Sequence, residues 1–485
     1  MPKHSHPQKS ASRDGRWLAL MVLCLGSLMI VLDTTIVNVA LPSIQTDLGF
    51  SDSSLAWVVN AYLLTFGGFL LLGGRLGDLF GHRRLFLIGI VSFTAASLLC
   101  GLATAQWMLI VARGVQGLGG AIVSAVALSL TMNLFTDPAE RAKAMGVYGF
   151  VSAGGGSIGV LLGGLLTGSL NWHWIFLVNI PVGVLVVILS IILLPKAHVK
   201  APGHLDFGGA ITVTASMMLA VYAIVNGNQN GWLSGLTLGL LALSVVLMGI
   251  FLWIESSIRS PLVPLKLFRL RNVVVANIVG VLWAASMFAW FFISALYLQL
   301  VLGYSPLQVG LSFLPANLIM ATFSLGLSAK IVMKFGIRKP LGVGLLIAGC
   351  GLAWFARSPI DGHFLMDVLP GMVLLGIGGG IAFNPMLLAA MSDVPAHESG
   401  LASGIVNTAF MMGGALGLAV LASLAAARYT SMVAAGSGEL IALNGGYHTA
   451  FLVGACSAII AGILGATMIK ISKNTDMGAH VVHGV

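Results

Sequence analysis

The stretch WLALMVLCLGSLMIVLDTTIVNVAL, from Trp17 to Leu41, is apolar over enough length to cross a bilayer, yet it carries Asp33 well inside it. A helix needs about 20 apolar residues to span hydrocarbon, where each backbone polar group must find its partner within the segment. A charge at that depth costs roughly 2.5–3.5 kcal/mol on insertion scales, so a retained one is by default a functional candidate. Working outward from this stretch, the chain offers fourteen segments of suitable length. They run over 17–40, 55–74, 85–103, 107–134, 143–167, 172–194, 206–226, 234–254, 273–301, 307–328, 340–356, 366–390, 400–427 and 447–470.

Composition agrees. With 58% hydrophobic and 8% charged residues, the chain has more apolar surface than a soluble core uses, and a bundle solvated by lipid accounts for it. The expectation is an all-α integral membrane protein. Placing both termini in the cytoplasm puts nearly all of the 24 Lys and Arg residues on inside segments. The exceptions are Arg357 and Arg428 in outside loops and Arg113 within a helix. That bias fixes the orientation by the positive-inside rule. One inside loop departs from it, because Asp393 to Ser399 carries Asp393 and Glu398 but no Lys or Arg. The net charge of +9 lies on short inside loops, where it suits anionic lipid headgroups and not nucleic acid. The basic N-terminus is read as an uncleaved first span and not a signal peptide. Cys24, Cys100, Cys350 and Cys456 all fall in spans with no metal or disulfide spacing, and no cofactor is expected.

The loop from Gly74 to Arg84 (GRLGDLFGHRR) has a weaker echo at Ala329 to Lys339, with Gly336 matching Gly81 and Arg338-Lys339 matching Arg83-Arg84. Two six-helix halves in parallel repeat follow, residues 1–194 and 272–485, separated by a two-helix insert at 195–271. Such repeats place substrate near the midplane between the halves. The echo fails at the charges: Asp33, Asp78 and Arg113 map onto Phe288, Met333 and Val368. Asp33 lies seven residues before the outer end of its helix, and Arg113 six after the outer start of its own. At 1.5 Å rise per residue both sit on the order of 10 Å below the outer surface, so the two can interact directly or through water. A low-dielectric surrounding favours a neutral acid and a nearby cation favours the carboxylate; an aspartate between these influences can change protonation state in a working cycle. A purely structural ion pair between two helices remains the alternative.

The residues from Leu32 to Pro42 (LDTTIVNVALP) resemble the first-helix motif of the fourteen-helix drug/proton antiporters of the major facilitator superfamily. Gly74 to Arg84 resembles that superfamily's hallmark loop, and Arg113-Gly114-Val115-Gln116-Gly117 its helix-four arginine motif. Asn171 to Phe176 with Asn179-Ile180-Pro181 is similar to its helix-six entry, and Tyr297 to Gln299 with Gly303 to Pro306 to its ninth helix and exit. The resemblance covers nearly the whole chain. It implies a multi-pass plasma-membrane antiporter that exports hydrophobic compounds against protons by alternating access; the single deep carboxylate, Asp33, points to neutral or monocationic ones, since dications would need more buried negative charge. It assigns proton coupling to Asp33 and Arg113 and a conformational latch to Gly74, Asp78, Gly81, Arg83 and Arg84. The antiporter glycine framework falls on Gly155, Gly159, Gly163 and Gly164. Val160 stands where that motif has a proline, and Leu79 and His82 replace basic residues common in the hallmark loop. Expected substrate-lining residues are Asn38, Gln116, Trp290, Gln299, Asn317 and Asn407.

Asp78 is placed to favour a helix N-terminus and to pair with Arg83 or Arg84. Gly154-x-Gly156-x-x-Gly159 matches a dinucleotide fingerprint in form only, since it lies inside a span without a preceding strand. An enzyme would need clustered metal ligands, a nucleophile with its base or a sizeable soluble domain, and the sequence offers none of them. A dedicated exporter of one endogenous metabolite or lipid is the alternative to broad drug export. The oligomeric state is left open.

Overall fold

The computed structural model describes residues 13–135, 137–195, 206–258, 261–323, 327–394 and 399–470. Among the described residues every regular element is helical. The first group comprises α1 (Arg13–Leu48), α2 (Trp57–Phe80), α3 (His82–Gly101), α4 (Gln106–Leu134), α5 (Pro138–Ser169), α6 (Trp174–Leu177) and α7 (Asn179–Leu193). Then come α8 (Phe207–Asn230) and α9 (Gly235–Ser257). The last group is α10 (Arg271–Leu296), α11 (Pro306–Thr322), α12 (Ser328–Phe335), α13 (Arg338–Phe355), α14 (Leu369–Met391), α15 (Ser399–Ala434) and α16 (Glu439–Met468). Eleven of the described helical stretches are long and apolar enough to cross a membrane. Large apolar side chains such as Trp107, Ile192, Val245 and Trp253 face outward, as in a bundle whose solvent is lipid.

One segment differs from the expected continuous spans. The sixth is divided at Val178 into α6 and α7, with Pro181 in the first turn of α7, where its missing N–H leaves no orphan bond. The tenth lies on α11 through Thr322, with 324–326 outside the described residues. By contrast, α5 runs unbroken through Val160.

In the first group α2 and α3 pack on α4, α1 on α5, and α3 on α7. In the last group α10 packs on α15 and α16, and α13 on α14 and α16. The groups meet where α5 packs on α11 and α2 on α15. Backbones approach closely there, as small residues permit in lipid. A Cβ on Gly164 would lie 2.5 Å from the Pro306 carbonyl oxygen, and one on Gly310 would lie 2.9 Å from that of Val160. Helix α9 leans on α8, and α8 itself lies against α2 and α15. Asn228 at its far end donates to the Ser423 carbonyl of α15 at 2.7 Å.

The repeated loop is built alike in both groups. Gly81 closes α2 at φ +91° and Gly336 closes α12 at φ +73°, conformations that only glycine adopts without strain. Two residues on, an arginine caps the last helix of its group. Arg83 donates to the carbonyls of Ser190 (3.4 Å) and Ile191 (2.6 Å) at the end of α7. Arg338 donates to Ala466 through Nε (3.0 Å) and Nη2 (2.7 Å) at the end of α16. A cation on unpaired C-terminal carbonyls satisfies their hydrogen bonds and opposes the helix dipole.

Candidate functional site

Asp33 is completely buried and Arg113 is 1% exposed. The Asp33 carboxylate accepts from Arg113 Nη1 (2.5 Å), Gln116 Nε2 (2.7 Å) and Asn179 Nδ2 (3.2 Å). Arg113 spends its other donors locally, with Nε on the Val58 carbonyl (2.9 Å) and Nη1 also on Gln116 Oε1 (2.7 Å). Ser97 closes the network by accepting from Gln116 (2.7 Å) and Asn179 (3.4 Å). The guanidinium carbon lies 4.4 Å from the Tyr62 ring centroid and 5.7 Å from that of Phe176, within cation–π range. Six helices (α1, α2, α3, α4, α6 and α7) thus supply members of the network around one ion pair.

Local sequence explains the convergence. Gln116 follows Arg113 by three residues, so both lie on one face of α4 and reach the same carboxylate. Gly117 lets α4 press against α2: a Cβ there would overlap Thr65 Oγ1 and the Tyr62 carbonyl oxygen. That contact brings the Val58 carbonyl and the Tyr62 ring to Arg113. The glycine framework does the same for α1 and α5. A Cβ on Gly163 would meet the Ile36 carbonyl oxygen at 2.6 Å, one on Gly159 would overlap Thr35 Oγ1, and one on Gly155 would lie 3.0 Å from Leu28 and Val31. The Gly154–Gly159 run is therefore helix-packing sequence inside α5.

Chemically, the network satisfies a carboxylate in full. A buried carboxylate met by one guanidinium and two amide donors has its charge answered by hydrogen bonds, and adding a proton removes the reason for those donors to converge.

The residues expected to line a substrate path are scattered. Gln116 belongs to the Asp33 network, and both ends of its amide are engaged within the first group of helices. Asn38 is buried and donates to the carbonyls of Thr34 and Thr35 in its own helix, and Asn407 donates to Ser403 in its own. Gln299, in a π-helical turn after α10, donates to the Val39 carbonyl of α1 at 2.9 Å and bridges the two groups. It also lines a 590 Å³ cleft with Pro42, Ser43, Thr46, Asp47, Leu300 and Tyr304. Trp290 is fully buried against Phe291 and Phe313, and Asn317 is 7% exposed.

Of the latch residues, Gly81 makes the turn, while a Cβ on Gly74 would meet Ala125 only at 4.0 Å, an ordinary contact; Gly73 and Gly77 make the tight contacts with α4. Arg83 is engaged by α7 and Arg84 is exposed. The expected partner Asp78 sits in the last turn of α2, and its side chain lies outside the described residues. Sequence reasoning missed Ser97 and Asn179 as members of the network. Neither carries a charge or a spacing relative to Asp33 that would have marked it.

Comparison with known proteins fits this architecture. The family model of the Major Facilitator Superfamily matches residues 23–418. A puromycin resistance protein of Streptomyces alboniger is 38% identical over 94% of each chain. A cephamycin export protein of Amycolatopsis lactamdurans is 35% identical over 98% of each. A tetracenomycin C resistance and export protein of Streptomyces glaucescens is 33% identical over 87% of this chain and 78% of its own. Among solved structures, the inward-open xylose transporter of E. coli superposes with a TM-score of 0.62 at 15% identity, covering 95% of this chain and 98% of that one. An inward-facing bacterial homologue of the lysosomal transporter Spinster gives 0.65 at 17% identity, covering 94% and 97%. The chain belongs to the Major Facilitator Superfamily and is a multi-span helical membrane transporter.

Proposed function

We propose that this transporter exports hydrophobic, neutral or monocationic small molecules across the cytoplasmic membrane in exchange for protons. The observation that carries the reading is the Asp33–Arg113 pair, a fully buried carboxylate held by a guanidinium and two amides. In the proposed cycle, Asp33 is a carboxylate while substrate enters between the halves from the cytoplasm. After substrate leaves outside, a proton binds Asp33, Arg113 loses its counter-charge, and α1 is freed from α4 for the return. Arg113 keeps the Val58 carbonyl, Gln116 and the Tyr62 and Phe176 rings during that step, so its charge is never stranded.

The proposed topology has fourteen spans with both termini inside. Residues 1–194 and 272–485 form the two halves and 195–271 the insert. The apolar stretches support it, with α5, α11 with α12, and α13 completing the eleven of clear length. The matching arginine caps on α7 and α16 support the parallel repeat. The bridge from Gln299 to Val39 supports an outer end that is closed while the cytoplasmic end admits substrate. The hallmark-loop residues Gly74, Asp78, Gly81, Arg83 and Arg84 would latch the cytoplasmic end in the opposite state.

The drug-export reading is supported by relatives named for antibiotic resistance and export. Because those names each cite one compound, a dedicated exporter of a single metabolite is the second reading, and a competition panel in vesicles separates the two. The coupling mechanism is tested by Asp33→Asn in proteoliposomes with an imposed proton gradient. Gradient-driven export should be lost while the protein inserts normally; undiminished export would end the proposal.

A further inference from the structure

On facing sides of α10 and α11, three buried N–H donors lack a hydrogen-bond acceptor among the described residues: Trp283 Nε1, Trp290 Nε1 and Asn317 Nδ2. Trp283 is 1% exposed, Trp290 fully buried and Asn317 7% exposed. Most buried polar groups find a partner, and each one left unpaired costs free energy that a ligand can recover. The tryptophans are seven residues apart and share one face of α10. Phe313, Asn317 and Met320 share one face of α11 by the same periodicity.

The two faces are in register. Trp290 packs against Phe313 with centroids 5.8 Å apart, and Phe291 stacks on Phe313 at 5.4 Å. Toward the other end, Trp283 and Met320 meet over Gly379 of α14, whose Cβ position lies 3.3 Å from Trp283 and 2.8 Å from Met320. Asn317 falls between these two contacts in height. The three donors therefore run along one aromatic seam. The segments that wall it, α10, α11 and α14, contain no Asp or Glu. Met287 and Met320 flank it, both partly exposed and flexible enough to yield to a ligand.

A seam with three unpaired donors, aromatic faces and no anion selects its occupant. An ammonium would find no counter-charge on these three helices. A flat molecule with two or more carbonyl-type acceptors would satisfy the donors and stack on the rings. We infer that the seam between α10 and α11 is a binding subsite for neutral, planar, carbonyl-bearing aromatic compounds, read by Trp283, Trp290 and Asn317. This rests on the export reading for its place in transport, and it narrows the proposed substrates to the neutral, acceptor-rich members of that class.

The test is a matched pair of probes on purified full-length protein in lipid nanodiscs, corrected for empty nanodiscs. Anthraquinone has two carbonyl acceptors and anthracene has none, on the same ring frame. Wild type should bind anthraquinone about tenfold more tightly, the value of one good hydrogen bond to a donor otherwise unpaired. Trp283→Phe, Trp290→Phe and Asn317→Leu each keep the bulk and remove a donor. Each should reduce that preference several-fold, with the anthracene affinity of the same variant as the reference that cancels any stacking area lost with the indole. Absence of the preference in wild type, or its persistence in the triple variant, overturns the inference, and so does failure of both probes to bind. Because the wild-type comparison needs no variant to fold, poor expression of a mutant leaves the test decisive. Gradient-driven anthraquinone export from proteoliposomes bears on the other reading alone: binding preference without export leaves the subsite standing and removes the exporter.

Discussion

Counting along the apolar runs matched Asp33 and Arg113 in depth but left their lateral proximity illegible; α1 in fact continues to Leu48, so Asp33 lies 15 residues from its end while Arg113 lies seven from the start of α4. Their direct contact with Gln116 was within reach, since an i, i+3 pair on one helix faces one way. Ser97 and Asn179 were not, because lateral neighbours in a bundle leave no mark in a single sequence. The network separates two roles that a loss of transport alone would confuse. Removing Arg113 strands a fully buried carboxylate, which costs about 3–5 kcal/mol. Arg113→Met should therefore lower the apparent melting temperature of the purified transporter sharply. Adding Asp33→Asn removes the stranded charge, so the double variant should recover most of that stability while remaining inactive in gradient-driven export. If the double variant is no more stable than the single, the pair is not the buried charge balance described above. For export by Asp33→Asn itself, any residual facilitated flux should no longer vary with external pH, because the group that takes up the proton is gone; a retained pH profile would place the proton elsewhere.

At the scale of elements, the sequence set out the helices well because long apolar runs admit few other readings, and it named the glycines of α5 as packing residues. It did not reveal which glycine meets which neighbour, since that depends on helix rotation. The α1–α5 seam makes the difference testable. A methyl group on Gly163 would lie 2.6 Å from the Ile36 backbone oxygen, which cannot move aside, so Gly163→Ala should destabilise by about 1–3 kcal/mol. On Gly156 the nearest atom is Thr35 Cγ2 at 3.9 Å, an ordinary contact. There Ala replaces a poor helix former, and Gly156→Ala should be neutral or stabilise by up to about 1 kcal/mol. Thermal unfolding of the two variants side by side checks the pair; equal losses would mean that α5 does not present Gly163 to α1. The break between α6 and α7 has a similar origin. The apolar run continues through it, so hydropathy sees one span, whereas Pro181 is suited to the start of a new helix.

For the whole molecule, the repeat was readable from Gly81 and Gly336 with their following arginines, yet the purpose of those arginines was not. Topology asks only that they be positive; the structure sets each on the closing carbonyls of its group's last helix, which ties each loop to its own half. A rigid half is what a rocking transporter needs, and it leaves the seams between halves as the moving parts. Two contacts close one end of those seams: Gln299 on the Val39 carbonyl, and Gly164 against the Pro306 carbonyl. If transport opens this end, a side chain forced in at Gly164 should favour the open state, since the Pro306 oxygen stands 2.5 Å from where its Cβ must go. Overpacking of this kind costs about 1–3 kcal/mol, and a bias of about 1.4 kcal/mol changes an equilibrium tenfold. Asn38, buried just below the closure, supplies the reporter. With the exposed Cys350 and Cys456 replaced by Ser, Asn38→Cys should react slowly with a membrane-impermeant maleimide added outside intact cells. Adding Gly164→Val should raise that rate about tenfold. An unchanged rate, with the protein normally folded, would mean that α5 and α11 stay packed throughout the cycle and that the halves part along α2 and α15 instead.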